Sequence, residues 1–270
     1  MKRKITYTFI YIILTIAAFV SVFPFYWMIV GSTNQSIDVN KGKLTFGTHF
    51  LTNFKNLVNN YNLGEVLWNS FQVSFFVVIF SLIVSSMAGY GFAMYKSKGH
   101  NYIYGAVLLT MMIPFAALMV PVFKLMTFFN LIDSLWGVIL PMIPSVFLIF
   151  FFRQNFQQYP KEIIMAARVD GASELRIFFS IVMPSMKATY AAGAIYSFLS
   201  SWNAYMQPLV IIQSQKKRTM ALFIANLASG YQPDFGLVMT AVVIATLPTL
   251  ILFFTLQKHF VQGVLGSVKQ

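Results

Sequence analysis

The sequence contains no cysteine and few acids: seven Asp plus Glu against 19 Lys plus Arg, with charged residues only 10% of the 270. Each shortage excludes something. Without thiols there is no disulfide scaffold, no iron-sulfur or Cys-based zinc site and no thiol nucleophile, and the redox state of the compartment leaves no trace. So thin a charge could not keep a compact surface soluble. The 58% apolar content and mean hydropathy of +0.70 lie far outside soluble globular folds. Water is not the main solvent. The net charge of +12 does not point to nucleic acid, because the basic residues are scattered between apolar runs instead of lining one face. Orientation in a membrane is the reading they fit.

Lys, Arg, Asp and Glu leave six long uncharged intervals: Ile5 to Ile37, Val66 to Tyr95, Gly99 to Phe123, Ser134 to Phe152, Ala188 to Gln215 and Phe235 to Gln257. Each can supply a span, since about 20 apolar residues cross a hydrocarbon core. A seventh, Thr219 to Pro233, is broken by Asn226, Ser229, Gly230 and Pro233, and reads as a loop with a short helix on or near the surface. The first interval follows Met-Lys-Arg-Lys, as a signal peptide would. Its apolar stretch is too long for a signal core of about 7 to 15 residues. It also runs through Phe23-Pro24-Phe25-Tyr26-Trp27, an interfacial aromatic belt, so a retained anchor is expected. The expected class is an all-α polytopic membrane protein with six transmembrane helices. Residues 1–65 form an anchor helix and outer loop, and residues 66–270 a five-helix core. Six spans put both termini on one side, and 12 basic residues against 7 place that side in the cytoplasm. Lys96, Lys98, Lys258 and Lys269 count toward the inside. Lys216-Lys217-Arg218 is the outer exception, either a solvated or headgroup-facing loop or a contact with an acidic partner.

No acid lies at the centre of an interval, whereas proton-coupled carriers and pumps usually keep an ionisable group at membrane depth. A sodium site of backbone carbonyls stays open. His49, His100 and His259 sit in separate loops with no metal-ligand spacing. Gly42-Lys43 is the only Gly-Lys pair, and Ile37 stands where a phosphate-binding loop needs its first glycine. Any ATP is handled elsewhere.

The one charge-dense stretch, residues 153–187, reads as two short helices. Pro160 suits a first helical position, and Ile163, Ala166 and Ala167 follow at spacings of three and four. Gly171 supplies the permissive backbone of a tight break. Ser173 can cap a second helix with an apolar stripe of Ile177, Phe178 and Ile181. Helices this short are marginal alone and must dock, either under their own bundle or on another surface that the paired alanines allow close.

Ala166-Ala167-x-x-Asp170-Gly171, followed by Ile181-x-Met183-Pro184, resembles the cytoplasmic coupling motif of binding-protein-dependent ABC importer permeases, and in particular the maltose-type carbohydrate permeases. Supporting stretches are Asn69-Ser70, Ala88-Gly89-Tyr90, Ile139-Leu140-Pro141, Ser201-Trp202-Asn203 with Pro208-Leu209, and Val261-Gln262-Gly263 with Val268-Lys269. The resemblance implies a type I ABC importer permease fold with cytoplasmic coupling helices, in a bacterial or archaeal cytoplasmic membrane. It implies half of a pore, non-catalytic and without a cofactor of its own, completed by a second related permease subunit. Two ATPase subunits would carry ATP and Mg, and an extracytoplasmic solute-binding protein would deliver a sugar. The coupling role carries over to Met165, Ala166, Ala167, Asp170, Gly171, Ile181 and Pro184. Met165 stands where the motif has a glutamate that can pair with the ATPase, and Met183 where it has leucine. Glu162, one turn earlier, is the candidate substitute for that carboxylate. The outer loop from Gln213 to Gly236, with Lys216, Lys217 and Arg218, resembles the segment that reaches toward the binding protein.

Sugar rings offer apolar C–H faces and a polar rim, which aromatic rings, hydroxyls and amides match. Helical spacing puts Tyr196, Ser200 and Asn203 on one face, beside Trp202, as a candidate sugar path. Ordinary helix packing, with Ser and Asn as hydrogen-bonding glue, is the alternative. Other functions stay open: a permease for an amino acid or peptide, a self-sufficient secondary carrier, or a membrane scaffold without a pore.

Overall fold

The computed structural model describes residues 2–95 and 97–266, with side chains for 7–95, 97–255 and 257. Lys96 and Val268-Lys269 therefore lie outside the described residues, as do the side chains of Lys2 to Lys4, Lys258, His259 and residues 261–263. Hydrocarbon offers no hydrogen-bond partner, so an apolar backbone must satisfy itself, and helices are the local way to do so. Among the described residues no strand forms. In chain order the helices are α1 (Lys2–Ser32), α2 (Ser36–Asn40), α3 (Phe50–Asn60), α4 (Leu63–Met94) and α5 (Lys98–Leu109). Then come α6 (Phe115–Phe128), α7 (Leu135–Met142), α8 (Val146–Gln157), α9 (Lys161–Val169) and α10 (Glu174–Ile177). The last are α11 (Met183–Ser185), α12 (Lys187–Trp202), α13 (Met206–Ile211), α14 (Met220–Ala228) and α15 (Phe235–Gly266).

Among the described residues four stretches are long and apolar enough to cross a bilayer: Tyr7–Ser32, Leu63–Met94, Leu135–Gln157 and Phe235–Thr255. The other two of the six expected intervals are not single continuous helices. The third interval bends by 104° between Met112 and Phe115, giving a broken span or a re-entrant loop. Pro114 is the cause: it has no N–H to continue the ladder, and it pushes Ile113 to an extended ψ of 116°. In the fifth interval α12 ends after 16 residues at Trp202, and the chain restarts as the short α13. There Pro208 cannot donate to Ala204 and is accommodated in the first turn of the new helix. The segment expected on the surface is also only partly so, since Met220, Leu222 and Phe223 at the start of α14 are buried.

Packing divides the chain into two compact units, one of Met1–Gly64 with Phe223–Leu247 and one of Glu65–Leu222 with Pro248–Gln270. In the first, α1 buries nothing of its apolar window, and polar side chains gather at its end. The Asn34 amide donates to the carbonyls of Val30 and Thr45, both at 2.9 Å. The Asn53 amide donates to Ser32 and Asn34, both at 3.0 Å. Ser36 Oγ accepts from the Phe235 N–H at 3.0 Å, and Thr240 Oγ1 reaches the Ser32 carbonyl at 3.4 Å.

The second unit holds two apolar cores. One joins Val73 and Val77 of α4 to Met126, Val138, Ile139 and Ile211. The other lies where α4 and α8 end: Tyr90 meets Phe156 and Phe178 edge-on at 5.7 and 5.3 Å, above Phe152, Ile164, Ala167, Ile177 and Val182. That second core is the floor on which the charged stretch is built.

Candidate functional site

Pro160, at φ −59°, opens α9, and the helix turns Ile164 and Ala167 into the core. The face expected from spacing, Ile163 with Ala166 and Ala167, is therefore rotated: Ile163 and Ala166 are exposed and Ala167 is covered by its own chain. A single-residue shift is all that separates the two faces, and Ile164 is as apolar as Ile163. Gly171 ends the helix at φ +77°. The Ala172 N–H returns to the Ala167 carbonyl and the Gly171 N–H to Arg168, both at 3.0 Å. This pair of bonds is the Schellman closure, which needs a residue in the left-handed region. Ser173 Oγ then accepts the Arg176 N–H at 3.4 Å and starts α10.

The second helix is not the regular one expected. After Ile177 the backbone widens into a π-helical turn, Phe178–Val182, before α11. Pro184 follows directly, and its missing N–H leaves the Ser180 carbonyl without an α-helical donor. Phe178 and Val182 are buried, Ile181 is half-buried and Pro184 is exposed.

Arg168 and Glu174 close the hairpin from above, with Arg168 Nε donating to Glu174 Oε1 at 2.6 Å. Tyr90 OH donates to the other carboxylate oxygen at 3.4 Å, and the guanidinium sits 5.9 Å from the centre of the Tyr95 ring. The Arg168 hydrogen bond holds the Glu174 carboxyl below the usual carboxylate range, and the same bond raises Arg168. Burial, then the bond to Glu174, pushes the Tyr95 phenol up. The outer rim of the hairpin is left bare. Val169 is 88% exposed, Leu175 60% and Met165 59%, alongside exposed Glu162 and Asp170. Large apolar side chains on a charge-ringed hairpin make a surface suited to covering by another protein.

A cleft of about 210 Å³ opens elsewhere in the same unit, lined by Ser81, Ser145, Tyr196, Ser197, Ser200 and Gln207 on an apolar background of Val77, Phe115, Pro141, Met142 and Leu148. Tyr196 and Ser200 from the expected sugar path are here. Trp202 and Asn203 are not: Trp202 is buried and stacked on Phe198, while the Asn203 amide donates to Leu199 at 3.0 Å and finishes α12. The Gln207 amide of α13 donates to the Val138 carbonyl of α7 at 3.0 Å. Ser81 Oγ is buried without a hydrogen-bond partner among the described residues. Among the described residues no charged side chain lines the cleft. Ser197 and Gln207 belong to the polar set that the fifth interval already offers for a sugar, whereas Ser81 of α4 and Ser145 of the turn before α8 escaped sequence reasoning because only the fold brings them to that set.

The basic triplet lies on a pinned loop. Asp133, in the left-handed region at φ +54°, accepts from the N–H groups of Gln213 and Ser214 at 3.0 and 2.9 Å and from the Ser214 hydroxyl at 3.0 Å. Burial raises the Asp133 pKa, but these bonds and Lys217 outweigh it and hold it below the usual range. Lys217 is engaged here too, donating to the Asp133 carbonyl and lying 3.4 Å from its carboxylate. The Asn69 amide grips the carbonyls of Lys216 and Arg218 at 2.7 and 3.2 Å. Lys216 is exposed and Arg218 half-exposed, and neither is in an ion pair among the described residues.

Apolar helices long enough to cross a bilayer, among the described residues, together with a two-helix hairpin, a pinned loop and a cleft, define a polytopic membrane protein. The family described as "Binding-protein-dependent transport system inner membrane component" matches residues 81–266. Over its full length the chain is 44% identical to the lactose transport system permease protein of Rhizobium radiobacter, covering 98% of that protein. It is 36% identical to the arabinooligosaccharides transport system permease protein of Bacillus subtilis, over 92% of this chain and 90% of the relative. The sn-glycerol-3-phosphate transport system permease protein of Yersinia pestis is 29% identical over 97% and 96%. In fold, the chain superimposes with a TM-score of 0.85 and 20% identity on a bacterial ABC transporter involved in the import of the acidic polysaccharide alginate, covering 96% of this chain and 98% of that one. The chain belongs to the binding-protein-dependent transport system inner membrane components, the permeases of ABC importers. It is a multi-pass transport subunit and not an enzyme, and its family works with ATPase and solute-binding partners.

Proposed function

We propose that this chain is one of two permease halves of an importer for a neutral saccharide, with both termini in the cytoplasm of a bacterial or archaeal cell. The observation that carries the choice of solute is the uncharged cleft, where hydroxyls and an amide converge beside the Tyr196 ring. A neutral sugar needs donors, acceptors and an apolar face, and a fixed charge would go unpaired against it. The transport of lactose and of arabinooligosaccharides by two relatives supports the same class. A phosphate ester, the solute named for the Yersinia relative, would find no cation in the cleft. The bare rim of the hairpin, with Met165, Ala166, Gly171 and Glu162, is the proposed seat of an ATPase subunit. ATP and Mg belong to that subunit, and this chain holds no cofactor. The exposed Lys216 and Arg218 are the proposed contact for the solute-binding protein, with Lys217 fixing the loop.

The test is uptake by the complex reconstituted in vesicles, with ATP inside and a binding protein loaded from a panel of neutral sugars, sugar phosphates and amino acids outside. Uptake of neutral saccharides alone supports the proposal; preference for the phosphate esters or amino acids overturns it. Single cysteines at Asn101 and Ser173 should be shielded from an impermeant thiol reagent in intact cells, and those at Ser134 and Gln215 should react. The reverse pattern would invert the topology.

A further inference from the structure

Helix α3 carries an apolar stripe that its own chain leaves uncovered. Asn53 and Leu57 face inward and are buried, whereas Phe50, Leu51, Phe54 and Val58 share the adjoining face and are exposed. The Phe50 and Phe54 rings stack at 6.3 Å. Thr52, Lys55, Asn56 and Asn59 make the remainder polar and exposed. Four large apolar side chains on an 11-residue helix outside every membrane-crossing stretch need a cover.

The anchoring of α3 identifies that cover. The Asn53 amide is bonded to the carbonyls of Ser32 and Asn34, where the apolar run Tyr7–Ser32 finishes. The middle of α3 is thereby tied to the level at which α1 leaves hydrocarbon. The approach to α3 extends the same apolar surface: Leu44 and Phe46 are exposed, and Phe46 meets Tyr26 of α1 edge-on at 6.0 Å. Tyr26 OH donates to the Leu44 carbonyl at 2.6 Å. Phe25, Tyr26 and Ile29 are themselves exposed, so an apolar strip runs unbroken from the flank of α1 through Leu44 and Phe46. Charge agrees with position. Asp38 is the only acid between residues 33 and 60, and Lys43 lies 3.0 Å from it, while Lys41 and Lys55 form no ion pair among the described residues.

We propose that α3 is an interfacial helix. Its Phe50, Leu51, Phe54 and Val58 stripe lies at the headgroup and acyl boundary of the leaflet in which α1 ends, and Lys41 and Lys55 meet the phosphates of anionic phospholipids. An amphipathic helix with aromatic and Leu side chains below and Lys beside them is built for that boundary, and lysine stems reach up from it to the headgroups. The inference rests on α1 crossing the membrane and is independent of its direction and of the solute.

The absence of native cysteine makes the test direct. Single cysteines replace Leu51 and Phe54 on the stripe, and Asn56 and Asn59 on the polar face. Each carries a polarity-sensitive fluorophore in the assembled importer, reconstituted in vesicles of phosphatidylcholine and phosphatidylglycerol. Labels at 51 and 54 should be quenched several-fold more by lipids bearing a shallow nitroxide than labels at 56 and 59, with the order reversed for aqueous iodide. Omitting phosphatidylglycerol, or combining Lys41→Gln with Lys55→Gln, should shift the emission of the 51 and 54 labels to longer wavelength. Equal iodide quenching at all four positions would place the helix in water and overturn the proposal. Protection of 51 and 54 from both quenchers would show a protein cover and overturn it equally.

Discussion

Gly171 offers a separation of two reasons for a glycine at the turn of the hairpin proposed to seat an ATPase subunit. Its φ is +77°, and a Cβ built on it would meet nothing within 4 Å in this chain. The intrachain cost of a substitution is therefore purely that of the backbone. An L-residue held in the left-handed region costs about 1 to 2 kcal/mol, less for Asn and more for a β-branched residue. With tenfold in an equilibrium for every 1.4 kcal/mol, Gly171→Ala should weaken ATPase retention by about five- to thirtyfold. Gly171→Val should fall below that, and Gly171→Asn should stay within a few-fold of wild type. The assay is retention of the ATPase subunits on the purified permease pair, with ATP-dependent uptake alongside and membrane insertion as a control. If the glycine instead made room for a partner's close approach, the ranking would follow size, with Ala best and Asn nearly as poor as Val. That ranking, or equal retention by all three variants, refutes the conformational account.

Three further outcomes follow from the geometry. Asp133→Asn should free the 213–217 loop, raising thiol reactivity of a cysteine at Gln215 at every pH; with Asp133 intact, its depressed pKa means the pinning is complete above the ordinary carboxylate pKa of about 4 and is lost only as pH falls through the lower folded value. Unchanged reactivity in the variant would show that the loop is held by Asn69 alone. Arg168 and Glu174 are each 39% exposed, so a double-mutant cycle to Ala on thermal unfolding should give a coupling of only about 0.2 to 1 kcal/mol, and a value above about 2 would mean the pair is far better shielded than its exposure implies. Gly89→Leu should lower the unfolding midpoint by about 1 to 3 kcal/mol equivalent, since a Cβ there lies 2.8 Å from Phe152 Cβ and 2.9 Å from the Arg153 nitrogen, whereas Gly91→Ala, with open space around it, should be neutral or stabilising.

Local chemistry made some of this legible in advance. Pro160, Gly171 and Ser173 each act on their own or a neighbouring backbone group, and the hairpin they specify forms with its boundary within a residue. Composition announced apolar helices because hydrocarbon leaves the chain little else to do. What stayed hidden depends on distance along the chain or on near-degenerate choices. Ile163 and Ile164 are chemically alike, so spacing could not say which faces the core. The π turn at Phe178–Val182 reflects the Phe178 contacts with Tyr90 and Phe156 as well as Pro184, and no short pattern encodes that sum. An uncharged interval counted as a span concealed Pro114 and Pro208, whose missing N–H groups divide helices that hydropathy alone would continue. Asp133 gave no sign that its partners lie 80 to 84 positions away.

The polar clasp at the end of α1 also sets a timetable. Ser36 bonds to Pro233 and Phe235, and Ser32 to Thr240, across separations of 197, 199 and 208 residues. At roughly 5 to 20 residues per second of synthesis, those groups wait on the order of 10 to 40 s for their partners to be made. A half-made clasp in mid-bilayer would strand serine and asparagine groups in hydrocarbon for that interval. Placed at Ser32 to Ser36, where the apolar run finishes, they can stay hydrated until the last helix arrives, so the newborn chain has a resting state in the membrane that needs no partner.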